Sequence, residues 1–384
     1  MAQSDGVELR IEKLVAGGSG LAFRDGKAVF VPYALPGEVV LASLGGGKRD
    51  YAEASLLEVL SPSPFRVVPP CPIYGECGGC DLQHLAYPRQ VIEKASIVAE
   101  SFRRMGKLDP GEVAAVPSLP FAYRNRLQFH LTAQGRLGFM KASSSSVVEA
   151  ATCPIAVRSV QSWIEARAGS SRAAEELGPY IVGKDRFLVF GTDTEVKIEG
   201  RDGLVQVRVA GQDFSFHLKG FFQSNLYLLE YFIPDVMAGL SGGLVADLYC
   251  GVGLFSRFLA KAFDKVVAVE QNPFALELAR TNAAGEANEF HALAVEAWTA
   301  TASAGQVFDC VLVDPPRTGL SPEVRAWIAR RKPPLVVYVS CDPATLARDA
   351  GELVRAGYRL ELLKAFDFYP QTHHIECHAR FRLS

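Results

Sequence analysis

The sequence lacks three features that would place the protein in a membrane, outside the cell or on bare nucleic acid. No apolar run approaches the ~18 residues that a membrane-spanning helix needs. Residues 1–6 lack the basic and then apolar pattern of a secretion signal. The net charge is only −2, which argues against binding nucleic acid by electrostatic attraction alone. We therefore expect a soluble, cytoplasmic protein without a membrane partner.

Internal repeats are also absent, and Ser143–Ser146 is the one low-complexity stretch. The chain has 384 residues, of which 49% are apolar, and this is enough for two or three domains with buried cores. Its eight cysteines are not expected to form disulfides in a chain without a secretion signal. The oligomeric state cannot be read from the sequence, and we take a monomer as the default.

Short alternating segments with glycine turns fill residues 1–64 and predict a small N-terminal β-barrel. Ser61-Pro-Ser-Pro has the composition of a linker. In residues 65–220 a helical pattern at 90–98 is followed by further alternating segments. We therefore predict a mixed α+β central domain.

From about residue 221 the pattern changes to strand, turn and helix in alternation. Four largely continuous apolar runs predict parallel strands that helices cover on both faces: 245–248, 266–270, 310–314 and 335–339. Residues 221–384 are therefore predicted to form an α/β domain, a Rossmann-like, doubly wound parallel sheet. Because ligands bind at the carboxyl ends of the strands in such sheets, functional residues should follow each run.

A glycine turn after the first run indicates a nucleoside site. Gly251 and Gly253 let the backbone approach a ligand at the start of a helix. Glu270, at the end of the next run, can bind ribose hydroxyls. A dinucleotide site would have a third glycine where this sequence has Ser256. The pattern favours an adenosyl ligand over NAD, and a purely structural turn is the alternative.

Reactive side chains follow the last two runs. Asp314-Pro-Pro-Arg predicts a rigid turn that directs a carboxylate into the cleft and suggests a nucleobase pocket. Cys341 lies where a thiolate could act as a nucleophile, although a free cysteine is often a buried and inert core residue. Methylation of uracil at C5 is one nucleobase reaction that needs such a nucleophile, because C5 becomes nucleophilic only after a thiolate has added to C6. A base must then remove the C5 proton. Glu376, or a histidine beside it, is the candidate base, and a polar approach to an edge strand is the alternative.

Two further groups of residues suggest partners. Cys71, Cys77 and Cys80 crowd together and indicate a metal or iron–sulfur site. The segment Tyr123-Arg-Asn-Arg126 could offer two guanidinium groups to RNA phosphates beside an aromatic face, and a charged strand edge is the alternative.

Together, and in this order, these segments resemble the RNA uracil-5-methyltransferase family. They resemble most closely its bacterial 23S ribosomal RNA members, which carry a TRAM domain and a [4Fe–4S] cluster. The resemblance implies transfer of a methyl group from S-adenosylmethionine to C5 of a uridine in RNA, with ribosomal RNA favoured and transfer RNA as the alternative. It implies that Cys341 is the nucleophile and Glu376 the base. The residues that it implies around the donor and the target base are Gln223, Tyr249, Glu270 and Asp314.

The resemblance also implies a ligand set for the cluster, in which the distant Cys153 joins the three crowded cysteines. Four thiolates suit zinc or an iron–sulfur cluster; spacing alone slightly favours zinc, and the resemblance favours [4Fe–4S]. The other cysteines that we assign to the core are Cys250, Cys310 and Cys377. His84 is predicted to be a packing residue.

Two positions depart from the family pattern. Leu254 stands where an asparagine is common, and Ala294 replaces a polar residue. These departures leave open a non-catalytic RNA-binding protein or ribosome assembly factor with a relic donor fold. Asp314-Pro-Pro also leaves open methylation of an exocyclic amine, which needs no cysteine.

Overall fold

The computed structural model describes residues 6–180, 186–285 and 287–384. Residues 1–5, on which most of the prediction about a secretion signal depends, lie outside these ranges. No helix within these ranges combines the length and the apolar composition needed to cross a membrane.

The N-terminal part is rich in strands, as its alternating pattern predicts. Its strands are β1 (Val7–Arg10), β2 (Lys13–Leu14), β3 (Gly20–Arg24), β4 (Lys27–Val31), β5 (Val39–Gly47) and β6 (Tyr51–Ser61). They form one sheet in the order β1-β5-β6-β4-β3-β2. Gly17 and Gly18 adopt φ values of 95° and 81° in the turn between β2 and β3, a conformation that glycine adopts without steric cost. The alternate side chains, such as Ile11 and Val31, are buried in a small core of their own.

The next segment mixes helices with antiparallel strands. Its helices are α1 (Tyr87–Ser101), continued by a π-helical turn (Phe102–Gly106), α2 (Arg158–Glu165) and α3 (Arg172–Leu177). Its strands are β7 (Ala114–Val116), β8 (Arg126–Leu131), β9 (Leu137–Met140), β10 (Val147–Glu149), β11 (Arg186–Gly191), β12 (Val196–Ile198), β13 (Leu204–Val209) and β14 (Gln212–His217). A five-stranded sheet has the order β10-β9-β8-β11-β12, and β13 pairs with β14 as a hairpin. The mixed character predicted for this segment is confirmed.

Strands and helices alternate in the C-terminal part. Its strands are β15 (Gly242–Leu248), β16 (Phe263–Val269), β17 (Glu289–His291), β18 (Cys310–Val313), β19 (Leu335–Ser340), β20 (Tyr358–Phe366) and β21 (Glu376–Leu383). Its helices are α4 (Leu226–Met237), α5 (Leu254–Ala262), α6 (Pro273–Asn282), α7 (Val295–Trp298), a 3₁₀ turn (Ser303–Gly305), α8 (Pro322–Arg331) and α9 (Pro343–Arg355). The four predicted apolar runs coincide with β15, β16, β18 and β19.

These strands form an eight-stranded sheet in the order β17-β16-β15-β18-β19-β21-β20-β7. Strands β15 to β19 are parallel, whereas β21 runs antiparallel to both β19 and β20. Apolar cores cover both faces of the sheet, because the central strands are apolar on both sides. The predicted doubly wound α/β architecture is confirmed.

Residues before 220 also contribute to this sheet and its cores. Strand β7 pairs with β20 at the sheet edge. Val98 of α1 belongs to one core, and Phe216 of the β13–β14 hairpin belongs to the other. The boundaries at 64 and 220 stay predictions, and the middle segment packs directly against the elements that carry the candidate site.

Candidate active site

All six side chains that the sequence predicts around the donor and the target base line one cavity of about 840 Å³. We call it the strand-end cavity, and its six predicted lining residues are Gln223, Tyr249, Glu270, Asp314, Cys341 and Glu376. Gln223 and Cys341, which are 118 positions apart in the sequence, therefore line the same cavity. The arrangement fits a site for two substrates, because a cavity of this volume exceeds the space that one nucleotide base needs.

The topology explains why these residues meet. Four of them come directly after a parallel strand, because β15, β16, β18 and β19 end at residues 248, 269, 313 and 340. Parallel strands bring their carboxyl ends to the same edge of a sheet. Strand β21 is antiparallel, and Cys377 pairs with Ser340. Glu376, the first residue of β21, therefore reaches the same edge from the opposite direction.

Gly251 of the glycine turn and Glu270 line the strand-end cavity together. Gly251 and Gly253 have φ values of 55° and 80°, so the turn needs glycine at both positions. Glu270 accepts hydrogen bonds from the Gly251 N–H at 3.1 Å and from the Asn272 N–H at 2.7 Å. Its carboxylate thus ties the turn after β15 to the turn after β16, and carboxylate oxygens can accept further bonds from ribose hydroxyls.

Ser256 has a structural reason to replace the third glycine of a dinucleotide fingerprint. Its hydroxyl donates to the carboxylate of Asp247, a fully buried residue near the end of β15. Burial raises the pKa of Asp247 to about 7, and the bond from Ser256 opposes that rise. A glycine at position 256 would remove this donor.

Gln223 offers an unused hydrogen-bonding group. Its side chain is buried, and within the described residues its Oε1 atom has no hydrogen-bond partner. Buried polar atoms without a partner are costly. The amide oxygen is therefore available to a ligand in the strand-end cavity.

Cys341, Asp314 and Glu376 also line the cavity, near enough to one another for their charges to interact. Burial, together with the charges of Glu376 and Asp314, raises the pKa of the Cys341 thiol to about 11, and Arg317 opposes that rise. Burial and its neighbour Asp314 hold the pKa of Glu376 well above its usual range. Burial and the charge of Asp247 raise the pKa of Asp314 to about 7. Without ligands, the Cys341 thiol and the Glu376 carboxyl group therefore favour their protonated forms, and each must lose its proton to act as a nucleophile or a base.

The lining residue Tyr369 was missed at the level of sequence, and His374 was included only as a histidine of the segment that carries the candidate base. Tyr369 and His374 line the strand-end cavity, and their rings lie 5.7 Å apart in an edge-to-face arrangement. Arg317 donates to His374 Nδ1 at 3.4 Å. Burial and nearby cationic groups lower the pKa of His374 to about 3, so the ring is neutral at physiological pH. The segment 370–376 was singled out as a source of a base, but its sequence could not say which side chains turn inward.

The RNA-contact candidates and the two atypical positions also have defined places. Arg124 and Arg126 line the strand-end cavity. The Tyr123 ring is buried, so it does not provide the predicted aromatic face, and the Arg124 guanidinium instead lies 5.9 Å from the centre of the Tyr369 ring. Leu254 is buried at the start of α5, and Ala294 precedes α7. Both lie outside the set of described residues that line the cavity.

The four predicted cluster ligands share a second cavity, of about 640 Å³, which we call the cysteine cavity. Cys71, Cys77, Cys80 and Cys153 all line it. Burial raises the pKa of Cys80 and of Cys153 to about 12, so these thiols ionise only with a cationic partner. In the described ranges no three His, Cys, Asp or Glu side chains are grouped as ligands of a single metal ion. Four thiols are a donor set that suits either a zinc ion or an iron–sulfur cluster.

The remaining sequence assignments concern the core. The side chains of Cys250, Cys310 and Cys377 are buried, as predicted. His84 is buried as well, and its Nδ1 lies 2.6 Å from the Tyr74 hydroxyl. Both observations fit packing roles.

Comparison with protein families and curated proteins identifies similar sequences. A family model described as tRNA (Uracil-5-)-methyltransferase matches residues 193–382. An uncharacterized RNA methyltransferase of Treponema denticola is 33% identical, over 97% of this chain and 98% of that protein. A 23S rRNA (uracil(1939)-C(5))-methyltransferase of Shewanella amazonensis is 34% identical, over 99% of this chain and 96% of that protein.

A solved structure has a similar fold over nearly the whole chain. It is the Pyrococcus abyssi tRNA (uracil-54, C5)-methyltransferase in complex with S-adenosyl-L-homocysteine. The TM-score is 0.74 at 27% identity, and the match covers 98% of this chain and 100% of that one. The fold similarity thus includes the N-terminal and middle segments as well as the α/β part.

Proposed function

The chain belongs to the RNA uracil-5-methyltransferase family, and from this premise we propose that it methylates a uridine through a covalent bond between Cys341 and the target base. It is an S-adenosylmethionine-dependent RNA uracil-C5-methyltransferase. Membership of this family sets aside the relic RNA-binding protein and the exocyclic-amine methyltransferase. The proposal concerns the residues that perform the reaction and the RNA that is modified.

The proposed reaction begins at the sulfur of Cys341. The thiolate adds to C6 of uracil, and the electrons of the C5–C6 double bond move to C5 and the O4 enolate. The donor supplies the methyl group that C5 attacks, and S-adenosylhomocysteine leaves. Glu376 then takes the C5 proton; the double bond forms again and the bond between sulfur and C6 breaks.

The observation that carries this proposal is the common wall shared by Cys341, Asp314 and Glu376 with the predicted donor residues. A nucleophile, a base and a donor must meet around one pyrimidine ring, and proximity of this kind is a large part of enzymatic rate enhancement. We assign Glu270 to the donor ribose, and Gln223, Tyr249 and Asp314 to the space between donor and base.

The raised pKa values define what ligand binding must accomplish. Glu376 can accept the C5 proton only when its carboxyl group is ionised, yet burial and Asp314 favour the protonated form. A sulfonium cation in the cavity favours ionisation of nearby carboxyl and thiol groups. The donor therefore contributes charge as well as a methyl group to this site.

We favour 23S ribosomal RNA as the substrate. Curated relatives that cover nearly the whole chain at 33–34% identity are named as 23S rRNA methyltransferases. The solved structure with the similar fold is named as a tRNA methyltransferase, which keeps transfer RNA as the alternative. A monomeric state and a cytoplasmic location stay predictions.

The purified protein, incubated with S-adenosylmethionine and with transcripts of 23S rRNA or of tRNA, tests the substrate. We expect 5-methyluridine in 23S rRNA by nuclease digestion and mass spectrometry, and modification of tRNA alone would contradict the assignment.

Cys341→Ala should abolish methylation but keep donor affinity, whereas Cys310→Ala, a core variant, should retain activity. Glu376→Gln should accumulate a protein–RNA adduct that survives denaturant. Substantial activity of Cys341→Ala would show that the nucleophile is another residue.

We also propose that the four cysteines of the cysteine cavity bind a [4Fe–4S] cluster. Four thiolates that line one cavity suit this group, which would cross-link parts of the middle segment. Its role would be structural, because methyl transfer itself requires no electron. Anaerobic purification should yield about four iron and four sulfide per chain, and Cys153→Ser should lower both. Stoichiometric zinc without sulfide would contradict the proposal.

A further inference from the structure

The β20–β21 loop (residues 367–375) delivers Tyr369 and His374 to the strand-end cavity and leads directly into Glu376. Within it, Gln371 has a φ of 68°. A residue with a side chain adopts this left-handed conformation only when its surroundings hold it there. Side chains from the middle segment supply much of that restraint.

Gln90 of α1 forms a reciprocal pair of hydrogen bonds with Gln371. Gln90 Nε2 donates to Gln371 Oε1 at 2.9 Å, and Gln90 Oε1 accepts from the Gln371 N–H at 3.0 Å. The same Nε2 lies 3.0 Å from the carbonyl oxygen of Leu82 and 2.7 Å from that of Leu85. Gln90 is fully buried, so no water can replace these bonds if they are lost.

Lys94 and Tyr123 hold neighbouring positions of the same loop. Lys94 Nζ lies 2.6 Å from Asp367 Oδ1 in a buried ion pair and donates to the Tyr369 carbonyl at 3.1 Å. The Tyr123 hydroxyl donates to the Pro370 carbonyl at 2.8 Å. Both side chains are buried. Three buried polar side chains from outside the C-terminal part therefore fix residues 367–371.

The chain segment after the crowded cysteines reaches this loop as well. The backbone N–H groups of Asp81 and Leu82 donate to the Gln371 carbonyl at 3.1 and 3.0 Å, and Asp81 pairs with His373. Because Leu82 also accepts from Gln90, the loop, α1 and the cysteine segment form one connected hydrogen-bond network.

We propose that Gln90, Lys94 and Tyr123 are positioning residues, which hold the β20–β21 loop so that the Glu376 carboxylate meets the C5 proton of the methylated adduct. Among the described residues, these three lie outside the lining of the strand-end cavity, so they act through the loop. The inference rests on the proposed function, since it assigns them to the step in which Glu376 acts as base. A loosened loop slows proton removal more than it slows addition of Cys341, and the covalent adduct accumulates.

The least disruptive test removes one hydroxyl. Tyr123→Phe deletes the bond to Pro370 and keeps the ring. Tyr358→Phe is a matched control, because the buried Tyr358 also donates to a proline carbonyl, that of Pro333 at 2.9 Å. Misplacement of a catalytic group by ~1 Å can cost ~10²-fold in rate. We expect Tyr123→Phe to slow tritium release from RNA labelled at uridine C5 by about tenfold, and Tyr358→Phe to match the wild type.

A second pair of variants repeats the test at Gln90. Gln90→Met removes both bonds to Gln371 at similar side-chain length. Gln306→Met is its control, because Gln306 Nε2 donates to the carbonyl and hydroxyl oxygens of Ser303, far along the chain from the loop. We expect Gln90→Met to accumulate denaturant-resistant, methylated protein–RNA adduct, with the dissociation constant for S-adenosylmethionine within about twofold of the wild type. Misfolding alone cannot produce such an adduct, because its formation requires an intact donor site and nucleophile.

Glu376→Gln separates failure of this inference from failure of the proposed function. If Glu376→Gln forms no adduct, the assigned base step is wrong. If Glu376→Gln accumulates adduct while Tyr123→Phe and Gln90→Met release tritium and resolve adduct like their controls, Tyr123 and Gln90 have no positioning role and the proposal is wrong.

Discussion

At the scale of single residues, the proposed reaction depends on the protonation of Cys341 and of the two carboxyl groups beside it in the strand-end cavity. Cys341 must lose its proton before it can add to uracil, and burial beside two carboxyl groups favours the neutral thiol. Reactive cysteines usually lie in electropositive surroundings that lower the thiol pKa. In the free protein Cys341 lies in the opposite environment, so the neutral thiol is favoured before the substrates bind.

This environment predicts the direction of a pH dependence. With a thiol pKa of about 11 in the free protein, the ionised fraction rises about tenfold per pH unit below that value. That value already includes the charges of Glu376 and Asp314, so the rise is shallower where these carboxyl groups are still protonated. We expect the single-turnover rate of adduct formation, at saturating donor and RNA, to increase from pH 6.5 to pH 9. A rate that falls over this range would contradict the protonation states assigned here, and donor affinity measured at each pH is the control.

At the scale of secondary structure, Asp349 on α9 fixes the turn that follows Asp314. Its Oδ2 accepts from the Leu320 N–H and the Tyr338 hydroxyl, both at 2.8 Å. Its Oδ1 accepts from Arg348 at 2.8 Å and from Arg325 at 3.2 Å. The fully buried carboxylate thus joins β19, α8 and α9 to the turn after β18, and it holds the turn after Asp314 relative to the helix that begins just after Cys341.

Asp349→Asn should therefore lower both stability and activity. An amide cannot replace a carboxylate that accepts from two arginines, and breaking a buried ion pair costs roughly 3–5 kcal/mol. We expect a loss of about 3 kcal/mol in the free energy of unfolding, measured by urea denaturation. Asp309→Asn is the control, because the exposed Asp309 accepts from the N–H groups of Gly243 and Leu244 and not, among the described residues, from an arginine. This variant should lose about 1 kcal/mol or less. Equal losses in the two variants would contradict this role.

The sequence predicted the elements whose signals are local. Continuous apolar runs identified β15, β16, β18 and β19, and the residue after each of these strands lines the strand-end cavity. The sequence could not predict contacts between distant segments. Gln90 and Gln371 are 281 positions apart. Nothing in the sequence pattern of α1 indicates that the polar Gln90 is buried. Likewise β7 has only three residues, too few to indicate that it joins the edge of the large sheet.

At the scale of the whole molecule, Arg124 connects the middle segment with the α/β part. It lines both the cysteine cavity and the strand-end cavity. From this position the guanidinium could bind a phosphate of an RNA strand whose uridine enters the strand-end cavity. The prediction of Arg124 as an RNA contact stays untested, and its position supports it.

Arg124→Met should weaken RNA binding independently of the sequence next to the target. Loss of one phosphate contact reduces the slope of log affinity against log salt concentration by about 1. Arg359→Met is the control, because Arg359 lies near the start of β20, at the end of the strands that is away from the strand-end cavity. Dissociation constants for target RNA at several salt concentrations measure this effect. An unchanged slope in Arg124→Met would contradict the assigned contact.

The central claim is that one sulfur atom forms a bond with the target uracil, and a trapped complex tests it most directly. RNA with 5-fluorouridine at the target position cannot lose a proton from C5, so the methylated adduct cannot resolve. After denaturation and digestion, mass spectrometry should find RNA on the peptide that contains Cys341, together with one transferred methyl group. Cross-linking at another residue, or 5-methyluridine in normal RNA without any trapped complex, would contradict the account.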